Sequence, residues 1–152
     1  MGLTGKLIAA IEFEAGGDVF HELFRHKPHH VSTTSPDKVQ GCDLIEGDFG
    51  HVGSIICWRY THDGKEKTAK QLIKTIDEEK KLIEFQMLEG DLMEEYKDFI
   101  ITIHVETKGN IDLVTWTIEY EMLNENVEHP ISLLAYFIAL TKDIETHHVG
   151  RS

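Results

Sequence analysis

Between Cys42 and Leu123 the chain repeats one pattern, a stretch of alternating apolar and polar residues followed by a short turn, and nothing else in it constrains the fold as strongly. The stretches are Cys42–Glu46, Ser54–Tyr60, Lys65–Ile76, Leu82–Leu88, Tyr96–Glu106 and Leu113–Leu123. Alternation of period two sends successive side chains to opposite faces, so each stretch reads as a strand half-buried against a core. Asp63-Gly64 carries the strongest hairpin signal, because a two-residue turn whose twist matches its strands needs positive φ, which Gly and Asp tolerate. Lys108-Gly109-Asn110 and Asp77 to Lys80 read as two further turns. Leu3–Glu14, closed by Gly16-Gly17, supplies a first strand, and hairpins in succession imply an antiparallel meander.

The alternation also decides which side chains share a face. Ile56, Trp58 and Tyr60 fall together, as do Ala69, Gln71 and Ile73, then Ile83, Phe85 and Met87, and finally Val114, Trp116, Ile118 and Tyr120. Arg59, Lys70, Lys74, Glu84, Gln86 and Glu119 lie opposite, as in a sheet packed on one side and wet on the other. Tyr96–Glu106 breaks the pattern by running Phe99, Ile100, Ile101 and Ile103; Phe99, Ile101 and Ile103 are assigned inward.

Two short helices are expected after the first strand. Asp18 is a good N-cap for Val19–Arg25, which buries Phe20, Leu23 and Phe24 before Pro28 forbids its continuation. Ser35-Pro36 opens the other, since serine caps well and proline is tolerated at the first helical position. A long helix runs from Pro130 to about His148, closed before Gly150. At 100° per residue, Leu133, Leu134, Phe137, Leu140, Thr141, Ile144 and His148 form one stripe, with Ser132, Lys142, Asp143 and Thr146 opposite.

The result is an α+β fold in which a curved sheet closes on one long helix. Its interior is either filled by side chains or holds space for a guest, and the pattern alone leaves both open. In the second case Trp58, Tyr60, Phe85, Trp116 and Phe137 line a ligand cavity, and Gln71 and Thr141 are the polar groups that orient its contents. Leu23, Phe24, Ile56, Ala69, Ile83, Met87, Ile101 and Ile144 complete the expected wall. His148 would stand at the helix end, where an amphiphile keeps its head near water and a partly charged imidazole can pair with an acidic group.

Composition narrows the partners. A chain of 152 residues fits one domain, and 41% apolar with 28% charged residues describes a compact globule. A formal charge of -12, with 15 Lys and Arg scattered among the acids, repels phosphate backbones and anionic membranes, so nucleic acid is not an expected partner. No stretch approaches the ~20 consecutive apolar residues of a transmembrane span. Met1 to Ala10 lacks the long apolar run of a signal peptide, and Cys42 and Cys57 read as free thiols, so the expected compartment is the cytoplasm.

Several motifs resemble those of the plant major latex proteins, a branch of the birch pollen allergen superfamily that includes the pathogenesis-related proteins of class ten. They are the glycine-rich Glu46-Gly47-Asp48-Phe49-Gly50-His51-Val52-Gly53-Ser54, Gly5-Lys6-Leu7, Trp58-Arg59-Tyr60 with Asp63-Gly64-Lys65, Glu89-Gly90-Asp91, Trp116-Thr117-Ile118-Glu119-Tyr120-Glu121 and Asp143-Ile144-Glu145. Their order spans nearly the whole chain as a single domain, residues 1–152. The resemblance implies a helix-grip fold, a seven-stranded antiparallel sheet wrapped around the C-terminal helix with two short helices between strands one and two. It further implies a large hydrophobic cavity for an amphiphilic small molecule such as a steroid, flavonoid, hormone, fatty acid or lysophospholipid-like lipid. Expression linked to defence or stress, and a monomer or weak dimer, are expected.

Other chemistry finds less support. The glycine-rich stretch lacks the Gly-Lys-Ser/Thr of a phosphate-binding loop and leads into a strand, so it reads as a tight connection. The pairs His29-His30 and His147-His148 do not have metal-ligand spacing, and no metal or other cofactor is expected. Some relatives are isomerases or condensing enzymes that use a lysine, glutamate or tyrosine in the cavity. Here Ile56 stands where several pollen-allergen relatives carry an inward lysine, which leaves Tyr60 as the candidate acid or base and no catalytic residue assigned.

Overall fold

The structure, a computed structural model, describes residues 3–149. Its strands are β1 (Thr4–Phe13), β2 (Val39–Glu46), β3 (Ile55–His62), β4 (Lys65–Asp77), β5 (Leu82–Gly90), β6 (Tyr96–Lys108) and β7 (Ile111–Met122). They form one seven-stranded sheet in the order β1-β7-β6-β5-β4-β3-β2, antiparallel throughout. Helices α1 (Gly17–His26) and α2 (Val31–Thr34) sit between β1 and β2, and α3 (Ile131–Val149) follows β7. This is the helix-grip arrangement, with α3 held in the concave face of the sheet.

The expected hairpins are present. Asp63 and Gly64 both take positive φ, 55° and 74°, which gives the β3–β4 turn the hand its strands require. The sheet curves through register shifts in β2, β4, β5 and at the start of β6, each adding a residue to one strand and bending it. Gly90 belongs to this bending: its φ is 130°, and a Cβ there would run into the Thr68 carbonyl oxygen. The inward assignment holds on every strand, including β6, where Phe99, Ile101 and Ile103 are all buried.

The two short helices begin elsewhere than expected. Helix α1 starts at Gly17 and has no cap from its own chain neighbours; its first amide is instead received by Asp112 Oδ2 of β7 at 2.8 Å. Thr107 and that amide hold the Asp112 carboxyl below its usual pKa. Asp18, the expected cap, turns outward and pairs with Lys81. Ser35-Pro36 ends a helix rather than opening one. The turn begins with Pro28 in a 3-10 segment (Pro28–His30), continues as α2, and closes where the Ser35 amide bonds the Val31 carbonyl. The Ser35 hydroxyl donates across the molecule to Asp143 of α3, so this serine ties elements together and is not available as a local cap.

Candidate functional site

Alternation and curvature together leave an apolar cavity of about 60 Å³ between the sheet and α3. Strands β3 and β4 give it Trp58, Tyr60, Ala69 and Gln71; β5 and β6 give Phe85, Met87, Ile101 and Ile103. Phe24 of α1 and Trp116 of β7 close one side, and Leu133, Tyr136, Phe137 and Leu140 of α3 form the lid. Val39 of β2 and Leu92, in a 3-10 turn (Asp91–Glu94) after β5, finish the wall. The aromatic rings interlock. Phe137 stacks on Trp116 with centroids 4.4 Å apart and planes at 13°, while Phe24 meets the same indole edge-on at 5.7 Å.

Buried indole N–H groups need acceptors, and this requirement accounts for Gln71 on the wall and Thr141 behind it. Trp58 Nε1 donates to Gln71 Oε1 at 2.8 Å, leaving the amide nitrogen of Gln71 as a donor on the wall. Trp116 Nε1 donates to Thr141 Oγ1 at 2.8 Å, and that hydroxyl donates to the Phe137 carbonyl at 2.8 Å. Thr141 is therefore fully engaged within the protein. The Tyr60 hydroxyl is buried with no hydrogen-bond partner among the described residues, and burial, reinforced by the charge of Asp91, pushes its pKa up. The Tyr136 hydroxyl donates to the Lys38 carbonyl at 2.6 Å. No Asp, Glu, Lys, Arg or His lines the cavity among the described residues.

Ten of the expected wall residues thus surround one space: Phe24, Trp58, Tyr60, Ala69, Gln71, Phe85, Met87, Ile101, Trp116 and Phe137. Six do not border it. Leu23, Ile56, Ile83 and Ile144 are buried in the packed core around it, Thr141 stands behind Trp116, and His148 is half-buried near the far end of α3. Leu133, Leu140 and Ile103 were legible as inward positions but not as wall. Tyr136 lies off the centre of the helix stripe, and it reaches the wall because its ring packs against Tyr60 and His62. Val39 and Leu92 sit in segments that no alternation marked.

The other motifs are structural. The glycine-rich connection zips onto β4, with Gly53 N bonded to the Ile73 carbonyl and Ile73 N to the Ser54 carbonyl, both at 2.9 Å. His29 stacks on Phe49 within the same region. Among the described residues no three His, Cys, Asp or Glu side chains gather as a metal-holding group. Cys42 and Cys57 are free; they pair across the strands with Trp58 and Asp43 respectively, which sets them on opposite faces. No helix among the described residues is long and apolar enough to cross a membrane.

A profile of the Pathogenesis-related protein Bet v 1 family matches residues 2–150. The chain is 49% identical to MLP-like protein 28 of Arabidopsis thaliana over 95% of its own length, and spans 44% of that relative. It is 47% identical to MLP-like protein 31 of the same plant, again over 95% of this chain, and covers 86% of that relative. The crystal structure of major latex-like protein 151 from Panax ginseng superposes with a TM-score of 0.95 at 52% identity, covering 97% of this chain and 99% of that one. Norcoclaurine synthase from Thalictrum flavum shares the fold alone, with a TM-score of 0.69 at 22% identity over 91% of this chain and 85% of the other.

Proposed function

Because this chain belongs to the Pathogenesis-related protein Bet v 1 family, with major latex-like proteins among its relatives, we propose that it binds and carries a hydrophobic or amphiphilic small molecule between its sheet and α3. The observation that carries this reading is the wall itself: an apolar, aromatic surface interrupted by very few polar groups, the usual makeup of a small-molecule site. A volume of about 60 Å³ holds a few waters and falls well below the roughly 300–1,000 Å³ of such sites, so a guest must part the Trp116–Phe137 stack or lift that stretch of α3. A defence role draws its support from the family description, and a reducing cytoplasmic setting from the two free thiols. A monomer or weak dimer is the proposed assembly.

Catalysis in the same cavity has less behind it. Tyr60 and Tyr136 are the candidate acids or bases among the described lining residues, and a phenol whose pKa is raised by burial stays protonated at neutral pH. The carrier reading is tested by native mass spectrometry of protein purified from its source, denaturing extraction of whatever is bound, and titration of that molecule back. Both tryptophans of the chain line the cavity, so their emission reports occupancy. A stoichiometric apolar guest that shifts this emission supports the reading. No guest, and no response to a panel of lipids, hormones and flavonoids, overturns it.

A further inference from the structure

Tyr60 borders two spaces. One face meets the apolar cavity; the residue also lines an open depression of about 450 Å³ outside it, with Gln40, Arg59, Glu66, Lys67, Thr68 and Asp91. The register explains the juxtaposition. Tyr60 of β3 pairs with Lys67 of β4, Trp58 with Ala69 and Ile56 with Gln71, so the inward row of β4 runs from Ile73 through Gln71 and Ala69 to Lys67 at the open end. The β4 row thus passes from Ile73, through an amide with a spare donor and the small Ala69, to a charged lysine at the open end, where the Tyr60 phenol of β3, with no hydrogen-bond partner among the described residues, lies beside it.

We propose that this depression is a second subsite, for the polar head of the same amphiphile whose apolar part occupies the cavity, and that the head is uncharged and rich in hydroxyl groups. The inference rests on the carrier reading. Its own support is the charge balance: two cations, Arg59 and Lys67, and two carboxylates, Glu66 and Asp91, line the depression. Arg59 lies within 3.1 Å of Asp43 in a pair more than half exposed, so its guanidinium keeps donors for a guest, and Asp91 accepts the Thr68 amide at 2.9 Å. A charged head would meet groups of like sign as well as opposite sign, whereas a hydroxylated head can both donate to the carboxylates and accept from Lys67 and Arg59. Tyr60 sits where head and apolar part join. Its hydroxyl is nine-tenths or more buried and otherwise unbonded, so it gains a hydrogen bond there that the free protein does not make.

The test uses four probes with the same tail, octyl glucoside, octanol, octanoate and octylamine, titrated as monomers into the full chain by tryptophan fluorescence. Octyl glucoside is expected to bind about ten-fold tighter than each of the others. Tyr60→Phe removes an unbonded hydroxyl and so leaves folding intact, while weakening octyl glucoside roughly three- to ten-fold. The paired change Glu66→Gln with Lys67→Met should weaken the glucoside and leave octanol where it was. Octanol binding as tightly as the glucoside, or octanoate or octylamine binding tightest, overturns the subsite while the cavity reading stands. Binding of none of the four overturns the cavity reading and the subsite with it.

Discussion

The two halves of α3 share one apolar stripe and do different work. From Leu133 to Leu140 the helix faces the cavity, and Ile131, just before that stretch, is 64% exposed. Among the described residues, none from Thr141 onward borders the cavity. Thr141 and Ile144 are fully buried, Asp143 is bonded to Ser35 and Lys38, and Glu145 accepts the Glu14 amide at the end of β1. A close-packed interior resists small changes of volume, while side chains that already border a gap have somewhere to go. The comparison therefore assigns adaptation to the N-terminal half and anchorage to the C-terminal half. Mutations on the two halves should separate into those a guest can repair and those it cannot.

The largest effect is expected at Phe137. Phe137→Ala removes the ring stacked on Trp116 and should cost about 3–5 kcal/mol of stability in urea unfolding. It also enlarges the cavity, so a saturating apolar guest should return part of that loss, by an amount that grows with guest concentration. Ile144→Ala, on the packed half, should cost about 2–5 kcal/mol with no such repair. Equal rescue of both variants would dissolve the distinction between the halves.

Thr141→Val tests the junction. The substitution keeps the shape and strands the buried Trp116 N–H, for an expected loss of about 1–3 kcal/mol. The emission of Trp116 should shift with it, and guest affinity should change little, because Thr141 stands behind the wall. A large loss of affinity with retained stability would mean that Thr141 meets the guest directly.

These distinctions mark where the sequence stops being legible. Facing on the strands follows from period two alone, so Trp58, Gln71, Phe85 and Trp116 could be placed inward before any coordinates. The stripe on α3 was legible too, but a stripe reports burial and cannot tell a residue beside a gap from one packed against its neighbours. The pattern therefore puts Ile144 and Thr141 in the wall with the same weight as Phe137, and does not single out Leu133 or Leu140. The helix starts failed for a related reason. Capping rules point to the adjacent residues, Asp18 and Ser35, whereas the Gly17 amide donates to Asp112 and the Ser35 hydroxyl is committed to Asp143, partners 95 and 108 residues away. Local rules recognise the residue type that can cap; only the fold decides which group it reaches.

The smallest effect concerns that last partnership and acts through pH. Burial raises the Asp143 carboxyl, but bonds from Lys38 Nζ at 2.7 Å and Ser35 Oγ at 2.6 Å, with the lysine's charge, outweigh it and leave the pKa below the ordinary value. A carboxyl whose pKa is depressed on folding adds stability above its unfolded pKa, near 3.9, and loses it as the pH falls through the lower folded value. Asp143→Asn should therefore be less stable than the parent at neutral pH, and the gap should close on acidification below about pH 4. The pair is partly solvated, so the effect is modest and shrinks in salt. Its location makes it informative. If the C-terminal half of α3 is the anchor, Asp143→Asn should raise amide exchange in α2 and residues 141–149 while leaving that of residues 131–137 unchanged; exchange rising evenly along the helix would show that α3 moves as one body and that its two halves are not distinct.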